Sequence, residues 1–211
     1  MHTLLPLLFA GVVGFTHAFE IDHLLAVSSI ASRRSSVLKA IKDGIYWGLG
    51  HTSTIMIIGV AMILAKVMIA EHTFHYFEAG VGFMLILLGA QRIWKTWKHE
   101  QNHALAHQHH EEPHGHRLAY GVGLVHGLAG SGTLVLLVMT ELESAWQGIV
   151  YLLIFGVGSI AGMLLASGIF SLPFSPKVSD SPRLHRGLAL LSSLLCIGFG
   201  CKVIFQNLLH A

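Results

Sequence analysis

Six long apolar stretches alternate with polar segments along this chain, and that alternation leaves few ways for it to fold. The stretches cover about residues 4–26, 43–70, 77–95, 118–140, 146–170 and 188–209. A bilayer core needs roughly 20 apolar residues per helix. Only 11% of the 211 residues are charged and 53% are hydrophobic, whereas a soluble domain carries about 25% charged residues. Such a chain belongs in lipid. The expected fold class is an all-α integral membrane protein of about six transmembrane helices. The first stretch is expected to be retained rather than cleaved as a leader. His2 is the only ionisable side chain before residue 17, no polar segment with a small-residue cleavage site follows, and acids lie well inside it, so it reads as a retained helix.

Lysine and arginine set the orientation. Arg33, Arg34, Lys39 and Lys42 follow the first stretch. Arg92, Lys95, Lys98 and Arg117 follow the third, and Lys177, Arg183 and Arg186 the fifth. The turns after the second and fourth hold acids instead, such as Glu71, Glu141 and Glu143. By the positive-inside rule the basic segments are cytoplasmic and both termini face outward, in a bacterial inner (plasma) membrane. Arg33 and Arg34 serve as orientation signals here, not as substrate ligands.

The halves resemble each other. Gly14-Phe15-Thr16-His17-Ala18 matches Gly123-Leu124-Val125-His126-Gly127, and Trp47-Gly48-Leu49-Gly50-His51 matches Phe155-Gly156-Val157-Gly158-Ser159. Gly89 pairs with Gly198 in the same scheme. Three spans per half would set the halves in opposite orientations, a common build for secondary transporters. The expected organisation is a first three-helix repeat over 1–95, a histidine-rich cytoplasmic loop over 96–117, and a second, inverted repeat over 118–211. Chance similarity among Gly-rich apolar segments is the alternative.

An ionisable residue at membrane depth costs a few kcal/mol or more and needs a reason. The string His17-Ala18-Phe19-Glu20-Ile21-Asp22-His23 holds two acids and two imidazoles. Carboxylate and imidazole form the mixed ligand set that suits first-row divalent metals. At 100° per residue a straight helix puts Glu20 within about 60° of His17 and of His23, and aims Asp22 elsewhere. Either the helix is broken here, or some of the four orient the others; a solvated place at the interface is the bland alternative. His51 sits in Gly48-Leu49-Gly50-His51-Thr52-Ser53-Thr54, and His126 in Val125-His126-Gly127-Leu128-Ala129-Gly130-Ser131-Gly132-Thr133. Small residues there would let a partner backbone approach. Each of the two is either a packed polar residue or a ligand.

Sixteen histidines are many for this length. Seven of them, His99, His103, His107, His109, His110, His114 and His116, lie between 99 and 116 with Glu100, Glu111 and Glu112. Such a tract binds metal without a fixed fold. His72 and His75 read as interfacial. Cys196 and Cys201 form no spaced framework. There is no phosphate loop and no His-Glu-x-x-His pattern, which argues against ATP hydrolysis and against a metalloprotease-type intramembrane enzyme. Acids beside His17 and His23 argue against bis-histidine haem.

The string from His17 to His23 resembles the His-x4-Asp-His signature of the nickel/cobalt transporter (NiCoT) superfamily, with Glu20 where many members have Asp. Leu49-Gly50-His51-Thr52-Ser53-Thr54 is similar to that family's Leu-Gly-His-Ser/Thr stretch, and the string from His126 to Thr133 resembles its short, six-span, UreH-like branch. The further Asp/Thr signature of eight-span members is absent, and some six-span relatives with His-rich loops are exporters. The resemblance implies secondary transport of nickel or cobalt with His17, Asp22, His23 and His51 as the essential set.

Taken together, the expected metal-ligating set is His17, Glu20, Asp22, His23, His51 and His126. The expected cargo is Ni2+ or Co2+, with uptake ahead of efflux, no resident cofactor, no enzymatic activity and no nucleic-acid partner. Membrane lipid and a cytoplasmic metal acceptor are the other partners implied.

Overall fold

The computed structural model describes residues 4–34, 36–66, 70–101, 115–141, 144–175, 178 and 181–210. The regular structure among the described residues is all helical. The helices are α1 (Leu4–His17), α2 (Ile21–Ala31), α3 (Val37–Ala65), α4 (Glu71–Gln101), α5 (Gly115–Glu141), α6 (Ala145–Ser171) and α7 (Pro182–His210), with a 3-10 turn at Leu172–Phe174. The first apolar stretch is therefore two helices, not one running over 4–26. The ends of the segment assigned to a loop, 96–101 and 115–117, are helical as well. Residues 102–114, with most of the histidine tract, lie outside the described residues, as does Lys177.

Local signals mark several helix ends. The Ser144 hydroxyl accepts from the Gln147 amide at 3.3 Å and caps α6, satisfying one of the donors a helix leaves open at its start. The chain leaves α3 through Lys66 in the left-handed region, φ 51°, where its amide donates to the Met62 carbonyl. Val37–Ala65, His72–Lys98, Ala145–Phe174 and Pro182–Leu209 are long and apolar enough to cross a membrane, and Leu7–His17 and Ile21–Ala31 are shorter apolar helices. Large apolar side chains such as Leu8, Phe9, Ile57, Val157 and Phe205 are exposed on the outside, the pattern of a lipid-facing surface. The protein is an all-helical integral membrane protein.

Lipid tails are as apolar as leucine, so close packing and small residues must hold such helices together. α3 is central and packs along both α5 and α6; α1 packs on α6, and α4 along α7. α2 makes lighter contact with α4, α6 and α7. Glycines set the closest approaches. A Cβ at Gly14 would fall on the Phe155 carbonyl, and one at Gly123 on the Trp47 carbonyl. α4 and α7 meet where Gly82 and Gly200 each face the other's carbonyl. Gly89 packs against Ser193 and Ile197, but Gly198 touches nothing within 4 Å. The closest approach of these two helices thus falls at Gly82 and Gly200, away from Gly89 and Gly198.

Candidate metal centre

α1 ends at His17 and α2 begins at Ile21, so the polar string straddles a break between two half-helices. The Phe19 and Glu20 amides donate to Thr16 and His17 carbonyls at 2.9 and 3.0 Å, tightening the last turn of α1. Glu20 is extended, with ψ 152°, and serves as the N-cap residue of α2. The break has a simple electrostatic logic. Asp22 falls in the first turn of α2, where the helix dipole favours a carboxylate, and the carbonyl end of α1 favours a cation. It also resolves the angular conflict of a straight helix, because Asp22 no longer has to share the face of His17.

His23 is buried on α2, His51 on α3 and His126 on α5, while His17 is nearly so. Ring centroids lie 4.6 Å apart for His17–His23, 5.2 Å for His17–His51, 5.2 Å for His23–His51 and 4.7 Å for His23–His126. Trp47 floors the group, stacked 5.5 Å from His23 and edge-on 5.6 Å from His126. Potential ligand atoms of His17, His23 and His51 all fall within 4.8 Å of one another, as do those of Asp22, His23 and His126. Two nitrogens on one ion at about 2.1 Å each stand at most about 4.2 Å apart. At tetrahedral angles the separation is about 3.4 Å, so either trio would draw inward to close on a metal.

Hydrogen bonds fix which nitrogen faces inward. Nδ1 of His17 lies 2.8 Å from Glu20 Oε1, and Nδ1 of His23 lies 3.0 Å from Asp22 Oδ1. Nδ1 of His126 lies 3.3 Å from the Val122 carbonyl oxygen. Each of these oxygens accepts, so in the neutral rings Nδ1 carries the proton and Nε2 keeps its lone pair. A carboxylate or carbonyl behind the imidazole is the usual support of a metal-binding histidine. Nε2 of His17, His23 and His126 and both ring nitrogens of His51 are buried without a hydrogen-bond partner among the described residues. Each such atom costs about 1–3 kcal/mol, and all lie in one place.

Of the six residues read from the sequence, the structure brings five together and sets Glu20 behind them. Glu20 is 58% exposed and touches His17 only through Nδ1, so it orients that ring from the rear. Asp22 faces both ways, with Oδ1 on His23 and Oδ2 3.8 Å from His126 Nε2. A cleft of about 430 Å3 leads to the cluster, lined by Glu20, Asp22, Glu78, Gln206 and Asn207 among others. It opens at the end of the bundle where α4 begins and α7 ends. His75 lies at that end and meets Asn207 at 2.9 Å.

Toward the other end, an ion-pair knot stands below Trp47. Asp43 is buried, held by Arg34 Nε and Nη2 at 2.5 and 2.9 Å and by His116 Nδ1 at 2.6 Å. The knot ties the α2–α3 link to α3 and to the start of α5. Asp43 and Glu78 escaped the sequence reading. An acid at the very start of the second apolar stretch, nine residues after Arg34, was the available signal for the first.

These features define a helical membrane protein with a buried histidine and carboxylate centre, open to one side and latched on the other. The chain belongs to the family described as cytochrome c biogenesis protein transmembrane region, whose pattern matches residues 8–201. It is 34% identical to the urease accessory protein UreH of Bacillus sp. (strain TB-90), over 96% of this chain and 92% of that one. The chloroplast proteins FOR GROWTH AND FERTILITY 1 and 2 of Arabidopsis thaliana are 24% and 25% identical over 88% of this chain, which spans 54% and 52% of their lengths. No solved structure matches. The two cysteines are free, Cys196 buried and Cys201 exposed. Five residues apart on α7, they lie about 140° apart around the helix and cannot pair.

Proposed function

We propose that this protein is a secondary transporter of a divalent transition metal, nickel or cobalt, of the NiCoT type, taking the ion up by alternating access and performing no enzymatic reaction. The observation that carries this reading is the convergence of unpartnered imidazole nitrogens from α1, α2, α3 and α5 beside Asp22. His17, Asp22, His23, His51 and His126 would bind the cargo, and Glu20 would hold His17 in its tautomer. Softer ligands are absent from the trios, which favours nickel or cobalt over ions that select thiolates. The urease accessory name of the Bacillus relative agrees with nickel.

The transport cycle follows from the two ends of the site. By the positive-inside rule the cleft with Glu78 faces outward and the Arg34–Asp43–His116 knot faces the cytoplasm, both termini being outside the bacterial inner membrane. Inverted repeats over 1–95 and 118–211 give the symmetry such a cycle uses. Exchanging the halves turns the α1–α6 contact into the α5–α3 contact, and Gly14 on Phe155 into Gly123 on Trp47. Proton exchange at the ligand imidazoles offers a coupling route, because they bind metal only when deprotonated. The histidine-rich segment, cytoplasmic by the same rule, would pass the ion to a cytoplasmic acceptor.

Cellular nickel and cobalt on expression test the proposal and its direction together. Uptake raises the accumulated metal and efflux lowers it, and His17→Ala and Asp22→Ala should abolish either change. Unaltered transport in both variants would sink the site assignment.

A further inference from the structure

A second polar cluster lies at the membrane boundary, away from the metal centre. Arg33 follows α2 and donates from Nη1 to Gln91 Oε1 at 3.1 Å; Arg92 of α4 donates from Nη2 to the Ser32 carbonyl at 2.8 Å. The two arginines thus cross-link the end of α2 to α4 reciprocally. Arg92 feels the charge of Arg33, and Lys95, one turn further on, feels both. Among the described residues neither guanidinium has a carboxylate partner. Nε and Nη2 of Arg33 and Nε of Arg92 are buried with no hydrogen-bond acceptor among those residues. Burial, and then the neighbouring Arg34, push the Arg33 guanidinium below its usual range. Two charged groups with spare donors and, among the described residues, no counter-charge call for an anion.

Depth in the bilayer narrows the anion's identity. From Glu71 to Arg92, α4 rises about 32 Å at 1.5 Å per residue, close to one hydrocarbon thickness of about 30 Å. Trp94 and Trp97 are exposed just beyond Arg92, and Tyr76 is exposed near the other end of α4. Exposed aromatic rings of this kind mark the headgroup level. The arginine pair therefore stands where lipid phosphates lie, on the leaflet that the basic segments assign to the cytoplasm, where anionic lipids are recognised by basic pockets between helices.

We propose that Arg33 and Arg92 form a phosphate-binding site that holds the headgroup of an anionic phospholipid against the junction of α2 and α4. The lipid phosphate accepts from the spare guanidinium donors and offsets the paired positive charge. Because α2 carries Asp22 and His23, a lipid bound at its far end also steadies the half-helix that bears the metal ligands.

Native mass spectrometry of the full chain, extracted from bilayers of equal phosphatidylglycerol and phosphatidylcholine, tests this. Phosphatidylglycerol is expected to be retained preferentially by the wild-type protein. The preference should be lost in Arg33→Gln/Arg92→Gln and reduced in Arg33→Lys/Arg92→Lys, which keeps the charges but not the planar donor fork. Circular dichroism reports whether each variant is folded. Titration with inorganic phosphate separates the sources: a phosphate-induced rise in melting temperature that needs both arginines, without lipid preference, overturns the lipid assignment in favour of a free phosphate. No lipid preference and no phosphate response in the wild-type protein overturns the site altogether, whatever the variants do. Equal lipid preference in the folded Gln variant also overturns it.

Discussion

Replacing Glu20 by Gln separates orientation from ligation at the proposed metal centre. Glu20 touches the cluster only through His17 Nδ1, at 2.8 Å, and is 58% exposed. A group behind a ligand contributes about 10–100-fold to metal affinity. Solvent screening of the exposed carboxylate and its single contact place it at the low end, so Glu20→Gln is expected to weaken nickel binding about 10-fold. His23 instead belongs to both ligand trios. Structural sites of four ligands bind with about 10–16 kcal/mol, or about 3 kcal/mol per ligand, so His23→Ala is expected to weaken binding by at least about 100-fold. Isothermal titration of purified protein distinguishes the two, with weak sites of the histidine tract subtracted by a parallel titration of His17→Ala/His23→Ala. A Glu20→Gln loss equal to that of His23→Ala would make Glu20 a direct ligand and refute the rear-support geometry. No loss in either variant would refute the centre itself.

Other expectations follow from single contacts. Gly123→Ala sets a methyl on the Trp47 carbonyl, whereas Gly121 has nothing within 4 Å; overpacking costs about 1–3 kcal/mol, so the first variant should melt lower and Gly121→Ala should not. Asp43→Asn leaves Arg34 buried without its bidentate partner; a loss of about 3 kcal/mol is expected, partly recovered in Arg34→Gln/Asp43→Asn, as read by denaturant unfolding. Glu78→Gln removes a carboxylate from the wall of the cleft. It should slow nickel association several-fold at low salt and little at high salt, followed by stopped-flow quenching of Trp47 beside the site. Equal rates at both salt concentrations would remove Glu78 from the path.

The helical membrane class was legible because apolar run length and charge placement are local properties of the chain. The trouble at residues 17–23 was legible too, since four polar side chains do not share a face of one straight helix. What local pattern does not carry is which partner each small residue admits. His51 and His126 reach His23 only because α3 and α5 approach through Gly50, Gly123 and Gly127, and a pairing of helices 70 residues apart is a tertiary choice. The same holds for Glu20, rich in ligand chemistry by type yet turned to the rear by the extended backbone at the break. Asp43 lay hidden because one acid at the start of a span looks like an interfacial residue until Arg34 and His116 close on it.

His23 stands at the intersection of the two trios, and this bears on how quickly a tightly held cargo could leave. An ion released from a closed cage must shed several bonds at once, and its residence time grows with each. An ion anchored on His23 could trade His17 and His51 for Asp22 and His126 one bond at a time, each departure matched by an arrival. The shared imidazole would then act as a pivot, turning one deep energy well into two shallower, adjoining ones and letting strong selection coexist with rapid turnover.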